Sequence, residues 1–367
     1  MQTPIRCQGS TAKIHHRLQN ALRRAMRAWQ NAPMVATIIA CTRRRTLALA
    51  LAAAPQLALV RAHPALAGGA GFEGFLASVR SEAERRGIQP VTISSAFAGL
   101  SPDPKVIDLE RHQPEFTETW AEYSAAVLSA DRISKGHSLY AASRALLVRV
   151  TESYPASPAV VMGIWGLESN YGAFQGGFSV IRSLATLAYA TSRGSYFRSE
   201  LIAALEILSH GDVSPGGMVG SWAGAMGQPQ FMPSAYLTYA VDFDGTGQRN
   251  IWTDTADVLA SIANYLVRSG WRAGEPWGRQ VLPPATLSAA LAAGGAVQPV
   301  SRWSALGFRR LDGHKLTETN IAARLIMPGG PTGPAYLAFP NFQAIRRYNP
   351  SDFYALGVGL LGDLVTS

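Results

Sequence analysis

Cysteine is almost missing from this sequence: the 367 residues contain two, Cys7 and Cys41. Both precede a small-residue tripeptide, "ALA" at 65–67, so the chain from Gly68 onward carries no thiol. That excludes disulfide staples and a cysteine nucleophile from the folded part. Acidic residues are absent from positions 1–67, which hold ten Lys or Arg. The net charge of +9 arises there, because the remainder carries 23 basic against 24 acidic residues. A balanced remainder lacks the basic surface on which phosphate-backbone binding rests, so no nucleic-acid partner is expected. There is no internal repeat and no sustained heptad, which excludes solenoids and coiled coils.

What the first 67 residues do contain is the pattern of an export signal. "TRRR" (42–45) is a basic n-region, "TLALALAAAPQLALV" (46–60) an apolar h-region, and "ALA" a cleavage site before Gly68. The h-region is short for a membrane span and is interrupted by Pro55. The segment is expected to direct export, by a general or a twin-arginine route, with an uncleaved anchor as the alternative. A start at Met34 would remove most of what precedes the signal.

From residue 68 on, hydrophobic spacing at helical period dominates. Helices are expected over 72–87, 92–104, 116–136, 138–154, 157–172 and 255–270, one or two over 179–209, and a closing helix over 351–365. Residues 211–236 read as an ordered Gly-rich loop assembly, and 323–340 as two short strands about a turn. The fold class is therefore mainly α with a small β portion. The expected organisation is an N-terminal helical part (71–156), a core (157–270), a small mixed part (271–340) and a C-terminal motif and helix (341–367) completing the core.

One carboxylate stands out. "GIWGLESNYG" (163–172) is an apolar helix end with Glu168 set in its last turn. Burying an ionised carboxylate is costly unless it is paired or protonated. Taken alone, Glu168 reads first as a structural glutamate matched by an arginine or by backbone donors. Desolvation at an apolar helix end also raises a carboxyl pKa and so makes a proton donor.

Four motifs in order decide between these readings: "GIWGLESNYG", "GSWAGAMGQPQFMPSAY" (220–236), "VDFDGTGQRNIW" (241–252) and "FQAIRRYNPSDFYALGV" (342–358). Together they resemble the lytic murein transglycosylases of the membrane-bound B type (glycoside hydrolase family 103), from about residue 71 to the end. The resemblance implies a lysozyme-like catalytic core with a flanking helical domain. It implies cleavage of the MurNAc–GlcNAc β-1,4 bond of peptidoglycan without water, leaving a 1,6-anhydro sugar, with Glu168 as the only acid/base. Ser221, Gln230, Tyr123, Tyr265, Tyr348 and Asn349 match substrate-side positions. Tyr348 and Tyr354 are candidate stacking platforms for sugar rings, whereas Met226, Phe231 and Met232 read as core. Peptidoglycan strands are the expected partner, wall-synthesis or division proteins are candidate ones, the location is periplasmic, and no organic cofactor is required.

"DFDGTGQRNIWTDTAD" (242–257) further resembles an EF-hand calcium loop, with Asp242, Asp244 and Thr246 at positions one, three and five and the Gln248 carbonyl at seven. Position twelve is Thr253 rather than a glutamate, so Asp257 at sixteen is the candidate closing ligand of a structural calcium site; a metal-free Asp/Gly turn is the alternative. Two other functions stay open. A lysozyme-like hydrolase would leave a reducing end, and a binding protein would hold glycan and leave it uncut.

Overall fold

The computed structural model describes residues 68–112, 118–288, 291, 294–317 and 320–367. The export-signal reading of 1–67 therefore falls outside the described residues. Among the described residues no helix is long and apolar enough to cross a membrane.

Three helices open the described chain: α1 (Gly68–Arg85), α2 (Pro90–Ala96) and α3 (Pro104–Arg111). Phe72, Leu76, Val79 and Ala83 recur at helical spacing and form the buried stripe of α1. Asp103 caps α3 by accepting from Lys105 N at 2.9 Å, with proline at the first helical position. These helices pack on α7 (Val180–Ala190) and α8 (Gly194–His210), giving a core of Phe72, Val79, Ile93, Val106, Leu184 and Leu205 among others.

A second core forms around α6 (Pro158–Ser169), in which every residue from Val160 to Ser169 is buried. It is enclosed by α4 (Trp120–Val127), α5 (Ala130–Ser153), α10 (Thr255–Arg268), α12 (Pro340–Tyr348) and α13 (Asp352–Thr366). The approach of α13 to α6 is as close as backbones allow: a Cβ on Gly163 would lie 2.1 Å from the Val358 carbonyl oxygen, and one on Gly362 would lie 2.2 Å from that of Ala159.

Packing thus divides the chain differently from the expectation of one helical part over 71–156. The helices α1–α3 belong to one core and α4–α5 to the other. The helix boundary expected at Gly136 is likewise corrected. The break falls at Leu128–Ser129, where Ser129 caps α5 through Arg132 N, and Gly136 lies inside α5. Glycine is required there by contact, since a Cβ would meet the Tyr171 hydroxyl at 2.3 Å.

The third unit is a four-stranded antiparallel sheet in the order β3-β6-β5-β4, made of β3 (Gly278–Val281), β4 (Val297–Pro299), β5 (Ala322–Ile326) and β6 (Ala335–Ala338). Leu325 pairs with Leu337, and both turn to a small core with Trp303 and Phe308. Alternate residues Ile326, Tyr336 and Ala338 turn the other way, onto the α6 core, as the two-residue strand period requires. A helical turn, α11 (Val300–Ala305), covers the first face, with Trp303 Nε1 donating to the Ala323 carbonyl at 3.0 Å. Arg324 reaches from β5 to the start of α13, where both guanidinium nitrogens grip Asp352 at 3.0 and 2.7 Å.

The loop assembly between the two large cores is ordered by β1 (Phe178–Ser179) pairing with β2 (Val219–Gly220), by bridges of Met226 to Gly220 and Phe231, and by the short α9 (Pro233–Tyr239). Met226 and Phe231 are buried and Met232 packs against them, which makes all three core.

Candidate active site

Glu168 is 2% exposed and sits one residue before the end of α6. The helix stops because Asn170, Tyr171 and Gly172 take left-handed backbone angles, with φ of 49°, 58° and 79°. Asparagine and glycine tolerate this region; a tyrosine does so only under constraint from its surroundings. The constraint is visible: Tyr171 is buried edge-on against Trp165, with ring centroids 5.4 Å apart, and Lys135 Nζ donates to the Asn170 carbonyl at 2.7 Å.

One oxygen of the Glu168 carboxyl is fixed and the other has no hydrogen-bond partner. The Tyr354 hydroxyl, on α13, donates to Oε1 at 2.5 Å, while Oε2 is buried without a hydrogen-bond partner. Burial pushes the carboxyl from its ordinary 4.5 up to about 8, against the smaller downward pull of the Tyr354 hydrogen bond; neither a cation nor a second carboxylate contributes. The group is therefore protonated at neutral pH and keeps one oxygen uncommitted, as a proton donor requires.

Four tyrosines feel the charge of Glu168: Tyr123 on α4, Tyr265 on α10, Tyr348 at the end of α12, and Tyr354. Burial raises the phenol pKa of each, that of Tyr265 to about 12. The fold thus brings Tyr123, Tyr265 and Tyr348 to Glu168 from three different helices. Tyr265 and Tyr348 stand 4.5 Å apart between ring centroids, their hydroxyls donating to the carbonyls of Arg347 and Pro229 at 2.6 Å each. Tyr354 departs from its expected role as a sugar platform: it is buried, lies nearly parallel to Tyr348, and its hydroxyl is spent on Glu168.

Gln230 adjoins Pro229 and has a left-handed φ of 53°; its amide donates to the carbonyls of Gln175 and Gly227 at 3.0 and 2.8 Å. Ser221 and Asn349 are held to local backbone, Ser221 Oγ accepting from Ala225 N and Asn349 Oδ1 from Ser351 N. Glu168 is buried, but the six residues expected on the substrate side, Tyr123, Ser221, Gln230, Tyr265, Tyr348 and Asn349, are all half-buried. That is the exposure suited to side chains that meet a ligand.

The family model of the Transglycosylase SLT domain matches residues 71–363. The chain belongs to this family, the lytic transglycosylases. It is 34% identical over 250 residues to membrane-bound lytic murein transglycosylase B of Escherichia coli K12, a span of 67% of each chain. Its fold is similar to that of SltB3 from Pseudomonas aeruginosa, solved in complex with NAG-anhNAM-pentapeptide, with a TM-score of 0.78 and 45% identity over 81% of this chain and 80% of that one. Lytic transglycosylase Slt35 of Escherichia coli, solved in complex with calcium, is similar at a TM-score of 0.68 and 28% identity, over 81% of this chain and 92% of that one. The mainly α, lysozyme-like fold expected from the sequence is the fold of these SLT neighbours.

Within this SLT domain the acidic loop includes the Trp252 carbonyl, which accepts from Gln175 and Gln228. One carboxylate oxygen from each of Asp242, Asp244 and Asp257 falls within 4.8 Å of the others. Asp242 accepts from the backbone N–H groups of Gly245, Thr246 and Gly247, which hold its carboxyl below the ordinary range. The Thr246 hydroxyl points at the Gln248 carbonyl, 3.4 Å away. Asp257 is buried at the start of α10, each oxygen taking a backbone N–H, from Phe243 and Asn250, at 2.7 Å. An all-oxygen set with three carboxylates fits a hard divalent cation of calcium size.

Two residues at this site escaped the sequence reading. Gln175 donates to the Trp252 carbonyl at 3.0 Å, and Gln228 joins Trp165 to the same carbonyl. The available signal was a glutamine inside an otherwise apolar run, two positions before Gln230.

Proposed function

We propose that the chain cleaves the MurNAc–GlcNAc β-1,4 bond of peptidoglycan strands and leaves a 1,6-anhydro end, with Glu168 as general acid and then general base. The observation that carries this reading is the solitary, buried Glu168, protonated at neutral pH, with Oε1 held by Tyr354 and Oε2 free. In the first step Glu168 gives its proton to the glycosidic oxygen as the bond to C1 breaks. The resulting carboxylate then takes the proton of the C6 hydroxyl as that oxygen closes onto C1, so the proton count returns to its start and no water is consumed. Two-carboxylate glycosidases hold a second acid across the bond; no such group adds to the Glu168 shift.

Tyr123, Tyr265 and Tyr348 supply aromatic faces and a low-polarity wall that keeps Glu168 neutral. Ser221, Gln230 and Asn349 supply donors and acceptors for hydroxyl and acetamido groups. The complexes of SltB3 with muropeptides, one of them an anhydro product, support the same substrate class here. Digestion of purified sacculi tests the reaction. The expected product is lighter by one water than a hydrolysed muropeptide, Glu168→Gln forms it about 10³-fold more slowly, and a reducing-end product from the wild type would overturn the reading.

In the same proposal Asp242, Asp244, Thr246, Asp257 and the Gln248 carbonyl hold a calcium ion that stiffens the acidic loop. Calcium neutralises the gathered carboxylates and takes no part in the proton transfers. The Slt35 complex with calcium supports this. Thermal unfolding with calcium or with chelator checks it: calcium raises the wild-type midpoint and leaves that of Asp244→Asn unmoved. Residues 1–67 direct export to the wall compartment, for which the expected mature N-terminus is Gly68 by sequencing of the exported protein.

A further inference from the structure

Gln228 is buried, 7% exposed, and its hydrogen bonds lead to separate parts of the chain. Its backbone N–H donates to the Ile251 carbonyl and its Nε2 to the Trp252 carbonyl, each at 2.9 Å. Its Oε1 accepts from Trp165 Nε1 at 2.7 Å. Trp165 belongs to α6, three residues before Glu168, and so lies one helical turn from the acid. Gly172, which closes the turn after α6, presses on the same amide, because a Cβ there would come within 2.5 Å of Gln228 Oε1. One side chain therefore ties the helix of the acid, the turn that ends this helix and the 250–252 segment.

The tie continues beyond Gln228. Trp252 N donates to Asn250 Oδ1 at 3.1 Å, and Asn250 N donates to Asp257 Oδ2 at 2.7 Å. The acid's helix is thus linked by successive hydrogen bonds to a buried carboxylate at the head of α10.

The geometry of Glu168 itself shows why such a tie matters. Its carboxyl has one hydrogen bond, from Tyr354 on α13. The helix under it ends at the next residue, so beyond its packing on α13 the rotation of this last turn is set by side-chain ties rather than by further helix. Side-chain tips lie about 5–6 Å from a helix axis, so a rotation of about 10° carries the carboxyl about 1 Å. A displacement of that size costs about 10²-fold in a reaction that depends on aligned proton transfer.

We propose that Gln228 is a positioning residue for the transglycosylation step: through Trp165 it sets the rotation of α6, and with it the location of the Glu168 carboxyl. The inference rests on the reading of Glu168 as the acid/base. Gln228 is buried away from the reacting atoms of this reading and is distinct from Gln230, which is proposed for the substrate side.

The test is steady-state kinetics on soluble glycan strands, counting anhydro ends, with Gln228→Met, Trp165→Phe and the double variant. Methionine keeps the volume of glutamine and removes both side-chain hydrogen bonds. Gln228→Met is expected to lower kcat about 10- to 100-fold with KM held within about twofold, and Trp165→Phe to lower kcat about tenfold. The double variant is expected to be no slower than Gln228→Met alone, because both changes cut one link. A purely structural role gives another pattern, with lower melting temperatures, kcat per folded molecule within twofold of wild type, and independent effects that multiply. That pattern overturns the proposal. If Gln228→Met does not fold, Trp165→Phe decides it: an unchanged kcat refutes the positioning role and a selective loss of kcat supports it. Absence of anhydro ends from the wild type removes the underlying reading as well, whereas a wild type that makes them beside fully active variants removes this inference alone.

Discussion

Among the described residues two glutamates are buried, one on a helix of each large core, and they are held in opposite ways. Glu200, on α8, is 4% exposed, and both its oxygens are taken by Ser234, Oε2 by the backbone N–H at 2.9 Å and Oε1 by the hydroxyl at 2.7 Å. Glu168, on α6, is equally buried but has one phenol on one oxygen and nothing on the other. Burial raises both carboxyls; at Glu200 two donors pull back, at Glu168 only one. The difference teaches that burial is common to both, and that unfilled hydrogen-bonding capacity is what sets apart the glutamate proposed as the acid.

The largest expected effect that sharpens this contrast is at Glu168. Glu168→Gln should lower anhydro-end formation by about 10³-fold, with binding to sacculi retained, as pelleting assays would show. The same variant carries a pH signature. Between its ordinary 4.5 and its folded value of about 8, Glu168 keeps a proton that the unfolded chain has released. Stability contributed by the neutral group is therefore complete below about pH 4.5 and is lost as pH rises toward 8. Denaturation at a series of pH values should show the wild type losing stability over that window and Glu168→Gln losing less. Activity, which needs the acid form first, should fall on the alkaline side with a midpoint near pH 8.

Next in size is Gly163→Ala. Its methyl group would drive into the Val358 carbonyl and lift α13 from α6. The expected cost is about 3 kcal/mol, measured by denaturant unfolding, with Glu168 exposed and the alkaline limb of activity moved to lower pH. Tyr354→Phe follows: removing the only donor raises the Glu168 pKa further, so the alkaline limb should move up while kcat falls about tenfold. Smallest is Glu200→Gln, which leaves one mismatched donor at Ser234. It should cost about 1–2 kcal/mol of stability and change kcat by less than twofold. A large kcat loss there with stability unchanged would break the comparison.

Much of this was legible in the residues because the information is local. Helix starts such as Ser129, Asp254 and Ser351 cap their helices through side chains written beside them, and the all-apolar surroundings of Glu168 announce its desolvation. Tyr348 lies in the fourth motif, whereas Tyr123 and Tyr265 lie outside the motifs and are pointed to only by the family resemblance; the fold assembles the three from three helices. What was not legible depends on distant neighbours. Gly136 has the spelling of a helix stop, and only Tyr171, 35 positions on, makes it a contact residue. The division of residues 71–156 between two cores follows from packing against α7 and α8 on one side and α13 on the other, which no window of the sequence contains. Gln228 is another such case, since a glutamine's significance lies in which two groups it joins.

The closeness of α13 to α6 has a consequence for cooperativity. Tyr354 and Glu168 are 186 positions apart in the chain, so the surroundings of this carboxyl are built by two distant segments rather than by its own helix. Loosening α13 from α6 would remove the phenol and admit water to the carboxyl in one event. The acidity of the group is thus a property of the assembled fold and is lost with it.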